Sequence, residues 1–173
     1  LLFAENHDTN RLNEVYKNDF KKYQMAMTII ATVRGIPQVY YGSEIGMAGD
    51  KGKGDGDIRR DFPGGWNGDT NNAFTKTGRT EEQNKFFEVT SKLFQWRKKC
   101  EVVHFGKTTH YIPQNNIYVY FRYNDDNSIM VIINNHPEIQ TINTERFQEN
   151  IKKYTLGKNI VMGLYWCSLD YTK

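Results

Sequence analysis

The sequence has little of what builds disulfide-stabilised or membrane-spanning proteins. It contains 2 cysteines and 4 prolines in 173 residues. Cys100 and Cys167 are too few and too far apart to predict a disulfide framework or a metal site. Two separate, half-buried thiols are the expectation, with one pair as the alternative. No run approaches the roughly 18 consecutive apolar residues of a membrane-spanning helix.

Charge of one sign is not in excess either. Lys and Arg number 23 and Asp and Glu number 20, for a net charge of +3. Residues 1–100 carry 16 basic and 13 acidic side chains, and residues 101–173 carry seven of each, so neither half has the basic stripe of a nucleic-acid-binding surface. Aromatic residues make up 14% of the chain, which excludes a disordered protein. We therefore expect a folded chain without a nucleic-acid or membrane partner.

The first 45 residues alternate between strand-like and helical patterns. Leu1–Ala4 is a short apolar run that ends in polar residues, as the carboxyl end of a parallel strand does. From Asp19 the apolar positions follow a helical period, and Gly35 suits a left-handed cap after this helix. The β-branched and aromatic residues 36–41 then predict a second strand. The order strand, helix, strand predicts one βαβ crossover of a parallel sheet.

Residues 46–79 are rich in glycine and predict a long loop, which is uncommon unless it is functional or mobile. A helix resumes at Thr80, where Thr80 and Gln83 fit a capping box, and it should end near Lys99. The apolar period then changes from 3.6 to 2. Strands are predicted at 108–112, 117–123, 128–133, 159–162 and 164–169, with a short helix after Thr144 that carries Phe147, Ile151 and Tyr154. The second half therefore predicts a small, mainly antiparallel β-domain.

Two segments carry candidate chemistry. The first is residues 3–11, with the sequence FAENHDTNR, and the second is residues 35–47, with the sequence GIPQVYYGSEIGM. Both lie at predicted carboxyl ends of parallel strands, where the functional groups of α/β proteins gather. Residues 61–66, DFPGGW, form a third and less specific segment.

Together these segments resemble the α-amylase family of glycoside hydrolases, family 13, and within it the neopullulanases and cyclomaltodextrinases. The first resembles the family's Phe-x-x-Asn/Ser-His-Asp segment at barrel strand seven. The second resembles its Gly-x-Pro-x-Ile/Val-Tyr-Tyr-Gly-x-Glu segment at strand eight. The fold class that follows is an α+β fragment: residues 1–100 are the last part of a (β/α)8 TIM barrel, and residues 101–173 are a C-terminal antiparallel β-sandwich. The chain is shorter than a complete barrel, which takes roughly 250 residues.

The resemblance implies a retaining α-glucan hydrolase that acts on starch-derived glucans and cleaves α-1,4 bonds. Whether it also cleaves α-1,6 bonds is left open by the resemblance. Such enzymes need a nucleophile and an acid/base, which the family places on barrel strands four and five. We therefore expect this chain to be the C-terminal fragment of an enzyme, inactive alone and prone to self-associate through uncovered barrel surfaces. The alternative is a non-catalytic barrel relative that serves as a binding or partner scaffold.

The resemblance also assigns site residues. Asp8 takes the place of the family's third carboxylate, the transition-state stabiliser, which binds hydroxyls of the sugar being cleaved. His7 corresponds to a hydrogen-bond donor to the same sugar. Arg11 either binds substrate or has a structural role, in which it orients the loop or pairs with a carboxylate. Asp55 and Arg59 resemble a pair that contacts a more distant glucose, with a solvated salt bridge as the alternative.

The glycine-rich loop raises two further questions. Phe62 and Trp66 either stack on a sugar or anchor the loop, and anchoring is favoured. The acidic residues of the loop do not follow the calcium-binding EF-hand pattern, because counting from Asp55 places Trp66 at the twelfth position, which needs a bidentate glutamate. We expect no metal and no cofactor.

Overall fold

The computed structural model describes residues 1–151 and the backbone of two later strands, Val161–Gly163 and Cys167–Asp170. In this part of the chain the helices are α1 (Leu12–Val15), α2 (Phe20–Thr32), α3 (Asp55–Ile58), α4 (Glu81–Lys98), α5 (Glu101–Phe105) and α6 (Gln148–Ile151). The strands are β1 (Lys107–His110), β2 (Ile117–Tyr123), β3 (Ser128–Asn134), β4 (Gln140–Asn143), β5 (Val161–Gly163) and β6 (Cys167–Asp170). Single 3₁₀ turns lie at Ser43–Ile45, Lys51–Lys53 and Thr144–Phe147.

The chain divides into two compact units. One contains Leu1–Ala31 and Gly35–Trp96, and the other contains Thr32–Arg34 and Arg97–Lys173. Across the described residues, every helix is too short or too polar to cross a membrane.

The first unit contains the predicted parallel contact between its two apolar segments. Leu2 pairs with Pro37 in parallel orientation: the Leu2 amide donates to the Ile36 carbonyl at 2.8 Å and the Gln38 amide donates to the Leu2 carbonyl at 2.7 Å. The prediction of two full strands is wrong, because the chain bends at Ala4 and the pairing stops after this one bridge. The prediction that the two segments lie side by side in parallel orientation is confirmed.

The glycine after helix α2 has a different role from the one predicted. Helix α2 ends at Thr32, so Gly35 lies beyond the position of a helix cap. Its φ is +139°, and a Cβ built on it would lie 2.6 Å from a methyl carbon of Leu2. Glycine is therefore required here by backbone conformation and by the close approach of Leu2.

Aromatic side chains from helices α2 and α4 form the core of the first unit. Tyr23 and Phe86 meet edge to face with ring centroids 4.6 Å apart, and Phe20 contacts Phe86 at 5.0 Å. The buried hydroxyl of Tyr23 bonds to Thr90 of helix α4 at 2.7 Å. Burial raises the pKa of Tyr23. The two predicted helices therefore pack through the apolar faces that their sequences define.

Helix α4 begins with the predicted capping box. The Gln83 amide donates to the Thr80 hydroxyl at 3.1 Å, and the Thr80 amide donates to the Gln83 side-chain oxygen at 2.9 Å. The helix ends at Lys98, as expected. Helix α5, which follows directly, was not predicted, because five residues are too few for a helical period to stand out.

The second unit is built on the predicted hairpin. Strands β2 and β3 pair antiparallel from Ile117 opposite Asn134 to Tyr123 opposite Ser128, and β1 adds antiparallel to β2. One face of the hairpin carries the apolar core of this unit with side chains from β4 and the following turn: Val119, Phe121, Met130, Ile132, Ile142 and Phe147.

The prediction of an antiparallel domain is wrong for the last two strands. Strand β5 pairs with β3, and β6 with β4, in parallel orientation. The observed sheets have the orders β1-β2-β3-β5 and β4-β6. A parallel pair needs a long crossover, and the stretch between β3 and β5 contains β4 and the short helix after Thr144. Phe147 and Ile151 lie in that helical region, while Tyr154 lies outside the described residues.

A buried arginine lies on the other face of strand β2. Arg122 is fully buried, and its guanidinium donates to the Val103 carbonyl in the middle of α5 and to the Thr108 hydroxyl, each at 2.8 Å. Burial lowers the pKa of Arg122, and the nearby charge of Arg97 lowers it further. Helix α5, absent from the prediction, therefore supplies carbonyl groups that make this burial tolerable.

Candidate functional site

The loop after the parallel bridge is held by its own polar side chains. The Asp8 amide donates to the Asn6 side-chain oxygen at 2.8 Å, and the Asn6 amide donates to the Thr9 hydroxyl at 3.0 Å. These bonds form a compact turn of the kind that Asn and Thr favour. The turn leaves the side chains of His7 and Asp8 at the surface, 58% and 59% exposed.

The predicted pairs His7–Asp8 and Asp55–Arg59 meet in this surface cluster. His7 Nε2 lies 3.1 Å from one oxygen of Asp8, and a terminal nitrogen of Arg59 lies 3.0 Å from the other. Arg59 Nε also donates to the His7 carbonyl at 2.9 Å. Asp8 and Arg59 are 51 residues apart in the chain, so the tertiary structure brings the two predicted pairs together.

Asp55 closes the other end of the cluster. Its carboxylate lies 2.9 Å from Arg59, and the Lys51 ammonium bonds to its second oxygen. The bond from Lys51 lowers the pKa of the Asp55 carboxyl, and the charges of Arg59 and Lys51 lower it further. Asp55 is therefore ionised at neutral pH. The Lys51 amide donates to the side chain of Asn10 at 2.6 Å, which links this loop to the one that carries Asp8.

Arg11, the other predicted substrate-binding arginine, is not part of the surface cluster. Its side chain is buried, with Nε donating to the Ile58 carbonyl at 2.8 Å and a terminal nitrogen to the Tyr41 carbonyl at 2.6 Å. The ring of Tyr40 lies 4.0 Å from its guanidinium carbon. A buried guanidinium cannot contact a sugar from solvent. The substrate-binding assignment of Arg11 is therefore corrected, and the alternative role, orienting the loop and pairing with a carboxylate, fits the structure.

The carboxylate that pairs with Arg11 is Glu5, which the sequence reasoning missed. Glu5 is 3% exposed. One oxygen accepts from the Leu12 amide, and the other accepts from the Ser43 hydroxyl and lies 3.4 Å from Arg11. A sequence signal was present: a glutamate directly after an apolar run, six positions before an arginine. It did not stand out because the residue lies beside the more conspicuous His7 and Asp8.

The aromatic residues of the glycine-rich loop have separate environments. Phe62 packs on Phe74 with ring centroids 4.5 Å apart, in agreement with an anchoring role. Trp66 is exposed. A pocket of about 360 Å³ lies beside this loop, lined by Tyr41, Glu44, Phe62, Ala73, Phe74, Arg79 and Phe87. Burial raises the pKa of the Glu44 carboxyl.

Within the described residues, no group of three or more His, Cys, Asp and Glu side chains is arranged to hold a metal ion. Cys100 is half-buried and free, while the side chain of Cys167 lies outside the described part. The chemistry that the cluster offers is therefore that of one carboxylate and one imidazole, flanked by an arginine and a second carboxylate, all open to solvent.

Known protein families and relatives show what this chain is similar to. Residues 108–168 match the family described as Cyclo-malto-dextrinase C-terminal domain. Neopullulanase 2 of Thermoactinomyces vulgaris is 31% identical over 141 residues, which cover 80% of this chain and 21% of that protein. An alpha-amylase of Niallia circulans is 30% identical over 134 residues, 78% of this chain and 22% of that protein. The chain thus spans about a fifth of the length of these relatives.

Solved structures give the same result at the level of fold. A cyclomaltodextrinase aligns over 78% of this chain and 21% of its own, with a TM-score of 0.62 and 23% identity. An alpha-amylase from H. orenii aligns over 73% of this chain and 28% of its own, with a TM-score of 0.58 and 28% identity.

These similarities define the class: the chain is a relative of the α-amylase family of glycoside hydrolases. Within that class the chain is similar to neopullulanase 2, and its residues 108–168 match the family described as Cyclo-malto-dextrinase C-terminal domain.

Proposed function

We propose that the chain is the C-terminal portion of a retaining enzyme that hydrolyses α-glucans. In this proposal residues 1–100 supply the end of strand seven, helix seven, strand eight and helix eight of a (β/α)8 barrel, and residues 101–173 form the C-terminal β-domain. Leu2 and Pro37 pair in a parallel bridge, helix α2 lies between them in the chain, and helix α4 follows. This order of elements supports the barrel assignment. Its relatives' names, neopullulanase and alpha-amylase, support the substrate class.

The observation that carries the proposal is the exposed cluster of His7, Asp8 and Arg59. An ionised carboxylate can accept hydrogen bonds from two hydroxyls of one sugar ring. Such bonds strengthen as the ring approaches an oxocarbenium-like transition state, and they therefore lower the barrier. Asp8 has this role in the proposal, as a transition-state stabiliser.

His7 and Arg59 complete the contact with the sugar. A neutral imidazole donates one hydrogen bond without repelling the positive charge that develops on the ring. Arg59 contacts Asp8 through one terminal nitrogen and lies between Asp8 and Asp55. In the proposal Asp55 and Arg59 bind a neighbouring glucose unit, so the chain binds two units of one glucan.

The proposal places the nucleophile and the acid/base outside this chain. The isolated chain is therefore inactive toward α-1,4 and α-1,6 bonds, although it carries part of the sugar-binding surface. A retaining glycosidase needs both groups roughly 5–5.5 Å apart across the scissile bond, and Asp8 alone cannot perform double displacement.

The test uses maltoheptaose and a protein that joins this chain to the remainder of the barrel. Asp8→Asn should lower kcat by roughly a factor of 10² to 10⁴, because it removes a transition-state interaction. The circular dichroism spectrum should stay unchanged, since Asp8 is exposed. Asp19→Asn is the control, because Asp19 caps helix α2 instead. Near-normal turnover of Asp8→Asn would remove Asp8 from catalysis.

A further inference from the structure

We propose that Glu5 is a positioning residue, which fixes the loop of His7 and Asp8 against the loop of Arg59 through Arg11. This inference deepens the proposed function and rests on it for its relevance to glucan binding. Its physical content, a buried anchor beneath an exposed cluster, can be tested without a sugar.

The first step is the burial of the Glu5 carboxylate. A buried carboxylate is costly unless hydrogen bonds or a counter-charge compensate it. Glu5 has both: the amide of Leu12, the hydroxyl of Ser43 and the guanidinium of Arg11 all face its two oxygens. Glu5 thereby joins the start of helix α1 to the turn after residue 42.

The second step is the reach of Arg11. Its planar guanidinium has donors in fixed directions, and besides Glu5 these meet the carbonyls of Tyr41 and Ile58. Ile58 directly precedes Arg59, the arginine that contacts Asp8. The bond from Arg11 to the Ile58 carbonyl therefore fixes the backbone where Arg59 begins. The Arg11 amide also donates to the Gly49 carbonyl at 3.0 Å.

The third step is the contrast between the buried anchor and the exposed cluster. Ion pairs between exposed groups such as Asp8 and Arg59 contribute little to holding a geometry, because water competes for both partners. The buried bonds of Glu5 and Arg11 are shielded from water and keep their directions. Since Glu5 lies two residues before His7, its bonds determine where the loop begins.

Glutamine is the informative substitution at this position. It keeps the shape of glutamate but has one acceptor oxygen and a donor amide where the carboxylate has two acceptors. In Glu5→Gln, at least one of the three donors loses its acceptor, and the charge of Arg11 loses its buried counter-charge. Glu88→Gln is the matched control, because Glu88 is an exposed carboxylate paired with Lys76 at 3.8 Å.

The experiment is amide hydrogen exchange on the 173-residue chain. In Glu5→Gln, peptides that cover residues 5–12, 41–46 and 55–60 should exchange about tenfold faster, while peptides from helix α4 and from strands β2 and β3 change less than about twofold. Glu88→Gln should leave all of them within about twofold. Equal acceleration everywhere would show a general stabilising role, and unchanged exchange in the three segments would show no role. Either result overturns the proposal.

Two further variants cover the case in which Glu5→Gln does not fold. Ser43→Ala removes one donor to Glu5, and Arg11→Lys keeps the charge but loses the planar fork. Both should accelerate exchange in the same three segments, and unchanged exchange there in both overturns the proposal.

Maltoheptaose separates this inference from the proposed function. The Arg59 Nε–H resonance of the wild-type chain should shift during a maltoheptaose titration, and the dissociation constant should rise about tenfold in Glu5→Gln. If the wild-type chain binds no maltoheptaose, glucan binding by this chain fails, while the exchange result still decides the role of Glu5. If wild type and Glu5→Gln bind equally well, positioning by Glu5 is overturned.

Discussion

Arg59 donates a hydrogen bond to the carboxylate of Asp8 at 3.0 Å, across 51 residues of chain. This contact joins the two segments that the sequence identified separately, and it places the guanidinium between Asp8 and Asp55. The cluster is therefore a single surface and not two independent salt bridges.

The first prediction compares the two adjacent arginines of this loop. Arg59→Ala should lower kcat/KM for maltoheptaose about 10- to 100-fold in a protein with the complete barrel, because a charge-assisted hydrogen bond beside the sugar is lost. Arg60→Ala is the control, since Arg60 pairs with Asp57 and is similarly exposed. Steady-state kinetics decide the matter, and equal losses in both variants would contradict the special role of Arg59.

The second prediction concerns Gly35. Gly35→Ala should destabilise the chain by about 1–3 kcal/mol, because alanine resists a φ of +139° and its Cβ would press on Leu2. Gly56→Ala is the control: Gly56 lies in helix α3, and no atom lies within 4 Å of its added Cβ. Urea unfolding followed by circular dichroism measures both. A loss at Gly56 as large as that at Gly35 would refute this explanation.

The third prediction tests the cap of helix α4. Thr80→Ala should lower the free energy of unfolding by about 1 kcal/mol, because the amide of Gln83 loses its acceptor. Thr77→Ala, three residues earlier and exposed, should leave it unchanged within about 0.5 kcal/mol. The urea midpoints of the two variants measure this difference, provided that the free energy of unfolding depends on urea concentration with the same slope in both. Coincident midpoints would mean that the capping box contributes nothing.

The fourth prediction is a pH dependence from Glu44. Burial raises the pKa of the Glu44 carboxyl above its ordinary value, so the folded state binds a proton more tightly than the unfolded state. Stability from this group is therefore greatest below the unfolded pKa and falls as the pH rises through the folded pKa. Glu44→Gln removes this loss.

Unfolding measured at two pH values checks the sign. At pH 7 Glu44→Gln should be more stable than wild type, and near pH 3.5 the difference should shrink. Glu88→Gln, at an exposed position, should show the same small difference at both pH values. A Glu44→Gln gain that grows on acidification would reverse the expected sign.

The fifth prediction concerns self-association of the chain. Leu1 and Ile36 are exposed beside the parallel bridge, and apolar side chains in such a position favour association because contact removes them from water. We expect sedimentation velocity to show a mass that rises with concentration. Ile36→Lys should lower it, while Ile112→Lys, exposed in the other unit, should not. A concentration-independent monomer would refute the prediction.

Local patterns in the sequence were sufficient where a structure depends on neighbours in the chain. The capping box at Thr80, the span of helix α4 and the β2–β3 hairpin follow from short-range spacing and turn residues, and all three are confirmed. Local patterns were insufficient for the parallel pairing of β5 and β6, because strand orientation depends on crossovers between distant segments.

The candidate site divides in the same way. By itself the sequence determined which residues could form the site. The order of residues is enough to identify the motif around His7 and Asp8 and the pair Asp55 and Arg59. Only the tertiary structure decided that Arg59 reaches Asp8, that Arg11 turns inward and that Glu5 is its buried partner. The physical reason is that packing sets burial and the hydrogen bonds between distant parts of the chain. The order of residues alone does not show which charged side chains become buried when the chain packs.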